Sequence, residues 1–205
     1  MRPAVLLAVV PLLIATPSLA QQTSSAINQS GKQFLDFAAD VNQSEIQGGL
    51  VAQNRAEAPA VRAFARLMVL DHMGLESQLA AVAAENGVQL PNQPSEQSKQ
   101  QMATLQGMSG AKFDAAYMQH MVQGHQQAVQ RFKSEKGQAQ SQPVEAVVGA
   151  TLPIIEQHLA LAQAVLSEIN NQATVGSARP PNAASPATTG GQPSSMHQNG
   201  GASKQ

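Results

Sequence analysis

The sequence contains no cysteine and no tryptophan, and aromatic residues make up only 3% of its 205 positions. Without thiolates the chain cannot form disulfides, iron–sulfur clusters or cysteine-ligated zinc sites. Any metal would therefore have to be bound by His, Asp, Glu or Met side chains. The shortage of aromatic side chains also argues against stacking surfaces for nucleic-acid bases, and it leaves Leu, Val, Met and Ala to build the core.

Neither sign of charge predominates, with 12 Lys and Arg residues against 13 Asp and Glu. A chain without a basic surplus has no field to attract phosphate backbones, so we expect no nucleic-acid partner. Beyond the N-terminal region, no apolar run reaches the roughly 18 residues of a membrane-spanning helix, so we expect no membrane span in the mature chain. The sequence leaves protein partners open, and with them assembly into an oligomer.

Residues 1–20 have the pattern of an export signal. Arg2 supplies the positive start, residues 5–15 an apolar run, and Ser18-Leu19-Ala20 a small-x-small cleavage motif. The pattern predicts cleavage near Ala20 and a periplasmic or otherwise exported mature protein. A retained membrane anchor is the alternative, although the run is short and contains Pro11.

Composition divides the rest of the chain into three parts. Residues 21–29 form a polar lead-in, and residues 30–170 carry apolar residues at helical spacing. Residues 171–205 are rich in Pro, Ser, Gly and Gln and have no apolar period, which predicts a disordered tail.

Four long segments of the middle part repeat apolar residues at steps of three and four, as one face of a helix requires. Ser30 with Gln33 has the form of a capping box at the start of the first segment. The connections within the first pair and within the second pair are short, which predicts antiparallel neighbours. The predicted fold is all-α: an antiparallel four-helix bundle with a short extra helix, 95–105, in the central crossover. The predicted long helices are 31–56, 59–86, 109–136 and 143–170.

Each of these four helices carries one ionisable residue near the middle of its apolar face. They are Glu45, His72, His125 and His158. A charged carboxylate in an apolar core is too costly to persist alone, so Glu45 needs a cation, a protonated imidazole or its own proton. One carboxylate and three imidazoles make a complete ligand set for one transition-metal ion: zinc, iron, manganese or copper. The pattern therefore predicts a metal site in the bundle core.

Three other interpretations of the polar layer remain open. A buried Glu–His hydrogen-bond network could fix helix register in a structural or partner-binding bundle that holds no metal. The methionines near the histidines offer soft ligands for a copper-handling protein: Met68, Met73, Met118 and Met121. An enzyme at an open metal position is the third, but four protein ligands would close a tetrahedral site and leave no such position.

Several neighbours of these residues could support the site. Asp71 and Glu76 flank His72, and either could be a further ligand or could orient an imidazole. Tyr117 borders the core and could hydrogen-bond to the polar layer. His120 lies off the apolar stripe and is predicted to be exposed. Pro153 should kink or curve the fourth helix one turn before His158.

Four motifs follow the export pattern, in this order: Phe34 with Glu45, Met68-Val69-Leu70-Asp71-His72, Tyr117-Met118 with Met121-Val122 and His125, and Leu152-Pro153 with His158-Leu159. Together they resemble a bacterial exported family catalogued as domain-of-unknown-function family 4142, in the ferritin-like superfamily. The resemblance covers about residues 30–169 and implies a ferritin-like four-helix bundle with no assigned reaction.

The chain departs from the di-iron pattern of ferritin-like enzymes, in which a Glu-x-x-His motif comes from each of two helices. The residues three before the histidines are Val69, Val122 and Ile155. Too few carboxylates remain to bridge two irons, so we expect no di-iron oxidase or ferroxidase. Through Met118-Gln119-His120-Met121 the third helix is also similar to a second exported helical family with Met- and His-rich copper sites.

Overall fold

The structure is a computed structural model that describes residues 26–139 and 141–178, with side chains described up to Thr174. Within these ranges the chain forms α-helices and no strand, which confirms the predicted fold class. The export signal, most of the lead-in and residues 179–205 lie outside the described residues. The helices are α1 Gln29–Arg55, α2 Pro59–Glu85, α3 Glu96–Gln106, α4 Gly110–Lys136 and α5 Gln142–Ala178.

The four long helices form a square bundle in which adjacent helices run antiparallel. Helix α1 packs against α2 and α4, and α5 packs against α2 and α4. The crossover between α2 and α4 carries α3, which lies against the outside of α1 and α4. Because this crossover returns the chain along the bundle, α4 begins beside the turn between α1 and α2. The short extra helix therefore lies where the sequence predicts it.

Side-chain hydrogen bonds fix the end of the bundle at which α2 and α4 begin. The Asp114 carboxylate, on α4, accepts the backbone N–H groups of Glu57 at 3.0 Å and Ala58 at 2.7 Å. The Glu57 carboxylate accepts the N–H of Ala111 at 3.1 Å in return. Each acidic side chain thus satisfies donors at the start of the other helix, and a carboxylate there also matches the positive end of the helix dipole.

The start of α1 differs from the sequence prediction. Its N-cap is Asn28, whose Oδ1 accepts the N–H of Gly31 at 2.9 Å, so Ser30 lies inside the helix. Asn caps a helix as well as Ser does, and the earlier residue adds half a turn. At the end of α2, Gly87 adopts a φ of +65° and the N–H of Val88 bonds to the Ala83 carbonyl, the pattern of a Schellman cap.

Helices α1 and α2 approach closely at Gly49. A Cβ atom at this position would lie 2.6 Å from Cγ2 of Val69 and 2.8 Å from the carbonyl oxygen of Ala65. Neither distance is compatible with an ordinary carbon contact, so the packing of these two helices requires glycine. The close approach lies one turn from Glu45.

Helix α5 continues through Pro153 and ends at Ala178, beyond the Asn170 at which the sequence prediction ends it. Among the described residues, one helical segment, residues 142–174 of α5, is long and apolar enough to cross a membrane. A core helix of a water-soluble bundle meets the same criterion. One face of α5 packs in the core, and His158 lies on that face.

The core consists of two apolar clusters separated by a polar layer. One cluster surrounds Phe34 and Phe132, whose rings meet edge-on with centroids 4.8 Å apart. The other surrounds Phe64 and Tyr117 at the opposite end of the bundle. Each long helix carries one or two buried polar residues between the part that joins one cluster and the part that joins the other. These polar residues are Asn42, Glu45, His72, His125 and His158.

Candidate metal centre

Three imidazoles meet in the polar layer. His72 on α2, His125 on α4 and His158 on α5 have exposed fractions of 0%, 2% and 3%. A ring nitrogen of each lies within 4.8 Å of a ring nitrogen of each of the others. The ring centroids are 5.3 to 6.0 Å apart. The structure therefore brings together the three predicted imidazole ligands.

One nitrogen of each ring donates its N–H to an oxygen acceptor. His72 Nδ1–H donates to Asn42 Oδ1, His125 Nδ1–H to the Met121 carbonyl, and His158 Nε2–H to Asp71 Oδ2, each at 2.9 Å. A carbonyl or a carboxylate can only accept, so the bonded nitrogen must carry the proton. These contacts fix the tautomer and the orientation of each ring, as acceptors beyond the ligands commonly do in metal sites.

The second nitrogen of each ring is buried and has no hydrogen-bond partner in the described part of the chain. These atoms are Nε2 of His72, Nε2 of His125 and Nδ1 of His158. When a ring is neutral, this second nitrogen is unprotonated and has an available lone pair. Leaving such acceptors unpaired in a protein interior costs about 1–3 kcal/mol each, so the site fits a cation that all three can share.

The surroundings keep two of the imidazoles neutral. Burial, reinforced by the nearby His125 and His158 rings, holds the pKa of the His72 imidazole well below its usual range. Burial also lowers the pKa of His158, although its hydrogen bond to Asp71 opposes that effect. A neutral imidazole is the form that binds a metal, so the site is ready for an ion without losing protons from these rings at neutral pH.

Glu45, the fourth predicted ligand, does not join the three imidazoles. Its Oε1 lies 3.8 Å from Nδ1 of His125, the nitrogen already bonded to the Met121 carbonyl, while its Oε2 is buried and has no partner among the residues that the structure describes. Burial raises the pKa of the Glu45 carboxyl, and the His125 and His120 rings offset part of this effect. The carboxylate faces the opposite edge of the His125 ring because α1 meets α4 on that side. The structure thus gives three converging ligands with a carboxyl group beside them.

The two acidic residues flanking His72 act on different partners. Asp71 contacts His158, on α5, and its side chain is 38% exposed. Glu76 accepts hydrogen bonds from Asn42 Nδ2 at 3.3 Å and Gln43 Nε2 at 3.2 Å, so it holds the amide that orients His72. The sequence analysis did not identify Asn42. Its position four residues after Ala38 and three before Glu45 satisfies the helical stripe as well as that of the apolar Val41 does, and periodicity alone favours the apolar residue.

Tyr117 and His120 lie on the Glu45 side of the layer. The Tyr117 ring is fully buried and stacks on Phe113 at 5.6 Å, and its hydroxyl has no partner in the described part of the chain. Burial and the nearby Glu45 raise the pKa of Tyr117 well above its usual value. His120 is half-buried in a cavity that Glu45 also lines, so the prediction that it is exposed was wrong.

The methionines are not gathered at the imidazoles. Met68, Met118 and Met121 pack in the apolar cluster around Phe64, and Met73 is 56% exposed on the outside of α2. The three buried methionines fill an aromatic-poor core, a role that suits their flexible side chains.

The donor set fits a borderline transition-metal ion. Zn²⁺ binds imidazole nitrogens at about 2.0–2.1 Å, which sets them roughly 3.4 Å apart around a tetrahedral ion. The present separations of up to 4.8 Å require the rings to draw together by small side-chain rotations. Three protein ligands leave a further coordination position open, and such an ion would polarise a water or a small anion bound there.

The fold is similar to that of a solved structure of another domain of unknown function. A crystal structure of a DUF305 fragment from Deinococcus radiodurans matches with a TM-score of 0.62 and 16% sequence identity, covering 69% of this chain and 98% of that one. At this identity the likeness concerns the fold alone. No curated protein matches the sequence significantly.

The sequence itself identifies the family. Residues 16–165 match the family described as "Domain of unknown function (DUF4142)", which agrees with the resemblance drawn from the motifs around the three histidines. Because the match spans well over half of the 205 residues and includes every residue of the polar layer, the chain belongs to the DUF4142 family.

Proposed function

We propose that this protein is an exported helical bundle that binds one transition-metal ion through His72, His125 and His158. One observation supports the proposal above all: each ring has one nitrogen bonded to an oxygen acceptor and the other buried with no partner among residues 26–139 and 141–178. A layer that served only to set helix register would pair its polar atoms with one another, since unpaired buried acceptors cost stability.

The ligand set favours some ions over others. Three neutral nitrogens suit Zn²⁺, Cu²⁺ and Fe²⁺, whereas Mn²⁺ prefers the carboxylate oxygens that this group of three lacks. Glu45 lies close enough to compensate part of the charge of a bound ion without coordinating it. We therefore propose a mononuclear site with zinc or copper as the preferred occupant.

Metal analysis of protein purified without chelator tests the proposal. We expect about one equivalent of metal per chain, or uptake of one equivalent of Zn²⁺ or Co²⁺ by protein first stripped with chelator, with a rise in melting temperature because the ion binds only the native state. His72→Ala and His158→Ala should lose that equivalent. His120→Gln, which alters a histidine outside the group of three, should keep it. Equal occupancy in all four proteins would reject the site.

Export is part of the proposal and has its own test. Residues 1–20 carry the pattern of a signal, and the family match begins at residue 16. We expect the chain produced in a bacterium to be recovered from the periplasm with an N-terminus at Gln21. An intact N-terminus in the cytoplasmic fraction would refute export and leave the metal site unaffected.

A metal-dependent enzyme is the second candidate, and the position of Glu45 favours it. Because Glu45 does not join the imidazoles, one coordination position stays open for water or substrate, with a buried carboxyl group nearby. Binding of azide to the Cu²⁺- or Co²⁺-loaded protein, seen as a change in its visible spectrum, would show that position. An unchanged spectrum at saturating azide would argue for a closed site.

A further inference from the structure

The three imidazoles are fully enclosed, so an ion must reach them through the protein. A polar cavity of about 250 Å³ lies between α1, α3 and α4, on the side of the layer that Glu45 occupies. Its walls include Ser44 and Glu45 from α1, Gln101 from α3, and His120 and Gly124 from α4. We refer to it as the α1–α3–α4 cavity. It contains no Lys or Arg among its lining residues, so its charge is suited to a cation.

Glu45 connects this cavity to the imidazoles. Glu45 is only 7% exposed, and its side chain lines the cavity. Its Oε2 has no hydrogen-bond partner in the described ranges. The other oxygen, Oε1, lies 3.8 Å from the His125 ring. One carboxyl group therefore borders the cavity and one of the three rings at once, and a buried carboxylate without donors is a strong ligand for a cation.

His120 and Gly124 form the α4 wall of the cavity, one turn apart on the same face of the helix. His120 is half-buried and near enough to Glu45 for the two charges to interact. Gly124 has no side chain to separate Glu45 from the cavity, and a Cβ there would lie 3.8 Å from Oε1 of Glu45. Any larger side chain would project into the space in front of the carboxylate.

We propose that the α1–α3–α4 cavity is the path by which a divalent cation reaches the imidazoles, and that Glu45 and His120 form a loading site on that path. This inference rests on the proposed metal site. The ion arrives hydrated, exchanges water for a carboxylate oxygen and an imidazole nitrogen, and then exchanges these ligands for the three buried nitrogens. No electron or proton needs to be supplied from elsewhere, because the transfer is an exchange of ligands.

The gap between α2 and α5 is the competing path. Asp71 is partly exposed there and contacts His158 directly. Its carboxylate is already engaged by His158 Nε2–H, however, whereas Oε2 of Glu45 has no hydrogen-bond partner within the described ranges. The two paths differ in which substitutions should change the rate of uptake.

Stopped-flow uptake of Co²⁺ by metal-free protein, followed through its visible absorption, tests the path. We expect Gly124→Leu to slow uptake and chelator-driven release alike by about tenfold or more, with little change in equilibrium affinity, since the three ligands are untouched. Gly74→Leu is the matched control, because Gly74 is an exposed helical glycine with open space around its Cβ position. His120→Gln should slow uptake while one equivalent still binds.

The possible outcomes of this experiment distinguish a failure of the proposed uptake path from a failure of the metal site. Wild-type protein that binds no Co²⁺ at equilibrium refutes the metal site itself and the path with it. If the wild type binds Co²⁺ and Gly124→Leu takes it up at the same rate, the path is refuted and the metal site is not. Uptake that is faster in Asp71→Ala than in the wild type would assign the path to the gap between α2 and α5. If Gly124→Leu fails to fold, Gln101→Phe narrows the cavity from α3 and must slow uptake by a similar factor.

Discussion

His72 Nδ1 and Asn42 Oδ1 lie 2.9 Å apart in the buried layer, and this contact joins α2 to α1 at the level of the three imidazoles. The amide cannot be turned round without losing its second bond, because Asn42 Nδ2 donates to Glu76. Asn42 therefore fixes which nitrogen of His72 carries the proton, and leaves Nε2 free.

Replacing Asn42 by Ala should weaken metal binding by about 10- to 100-fold, as loss of a ligand-orienting acceptor usually does. Without the amide, the His72 ring can rotate or change tautomer and present an N–H to the ion. Gln43→Ala is the control, since the neighbouring amide contacts Glu76 and the Pro91 carbonyl but no imidazole. Competition with a coloured chelator measures both affinities, and equal values would show that Asn42 does not orient His72.

Asp71 should have a graded effect on the same affinity. Asp71→Ala removes the acceptor for His158 Nε2–H and should weaken binding by about 10- to 100-fold. Asp71→Asn retains an oxygen at that position but loses the charge, so its affinity should lie between those of Asp71→Ala and the wild type. If Asp71→Asn binds metal as weakly as Asp71→Ala does, the negative charge of Asp71 supports the site and an acceptor oxygen at that position is not sufficient.

The sequence predicts helix positions and inward residues well, because both follow from periodicity. Steps of three and four place His72, His125 and His158 on apolar faces, and the short connections require antiparallel neighbours. Capping is less predictable, since Asn28 and Ser30 are both suitable caps and only the packing of α1 selects the first.

The arrangement within the polar layer depends on angles that periodicity does not provide. Glu45 lies on the apolar stripe as expected, yet its carboxylate faces the far edge of the His125 ring. A rotation of the helix by a few tens of degrees decides between Val41 and Asn42 as the inward residue, and the sequence satisfies both. His120 is half-buried because α3 covers α1 and α4 at that point. This tertiary contact has no sequence signal of its own.

Gly49 should be intolerant of even a methyl group. Gly49→Ala places Cβ against Val69 and the Ala65 carbonyl, so we expect a loss of about 1–3 kcal/mol in the free energy of unfolding as α1 and α2 separate. Gly74→Ala meets nothing and should instead stabilise α2 by up to about 1 kcal/mol through helix propensity. Urea denaturation of the two variants measures both, and stabilisation of Gly49→Ala would show that the helices are less closely packed than described.

The stability of the metal-free protein should depend on pH through the two histidines whose pKa values are lowered. An unfolded histidine takes up its proton near pH 6.5, whereas folded His72 and His158 do so only at lower pH. Below about pH 6.5 the unfolded state therefore binds more protons, and stability, which is fully present above that value, is lost as the pH falls toward the folded pKa values. Glu45 acts in the opposite sense, because its raised pKa lets the folded state bind a proton before the unfolded chain does as the pH falls, so a comparison with variants of the two histidines is needed to isolate their contribution.

We therefore expect the melting temperature of chelator-treated protein to fall between about pH 7.5 and pH 5.5, and the fall to be smaller in a His72→Gln, His158→Gln double variant. Bound metal should move the onset of the fall to lower pH, since the ion competes with protons for the same nitrogens. Thermal unfolding followed by circular dichroism at matched ionic strength measures all three. A wild-type melting temperature that stays constant or rises over this interval would mean that the folded protein binds protons at least as readily as the unfolded chain, so that burial does not lower the pKa values of the two imidazoles.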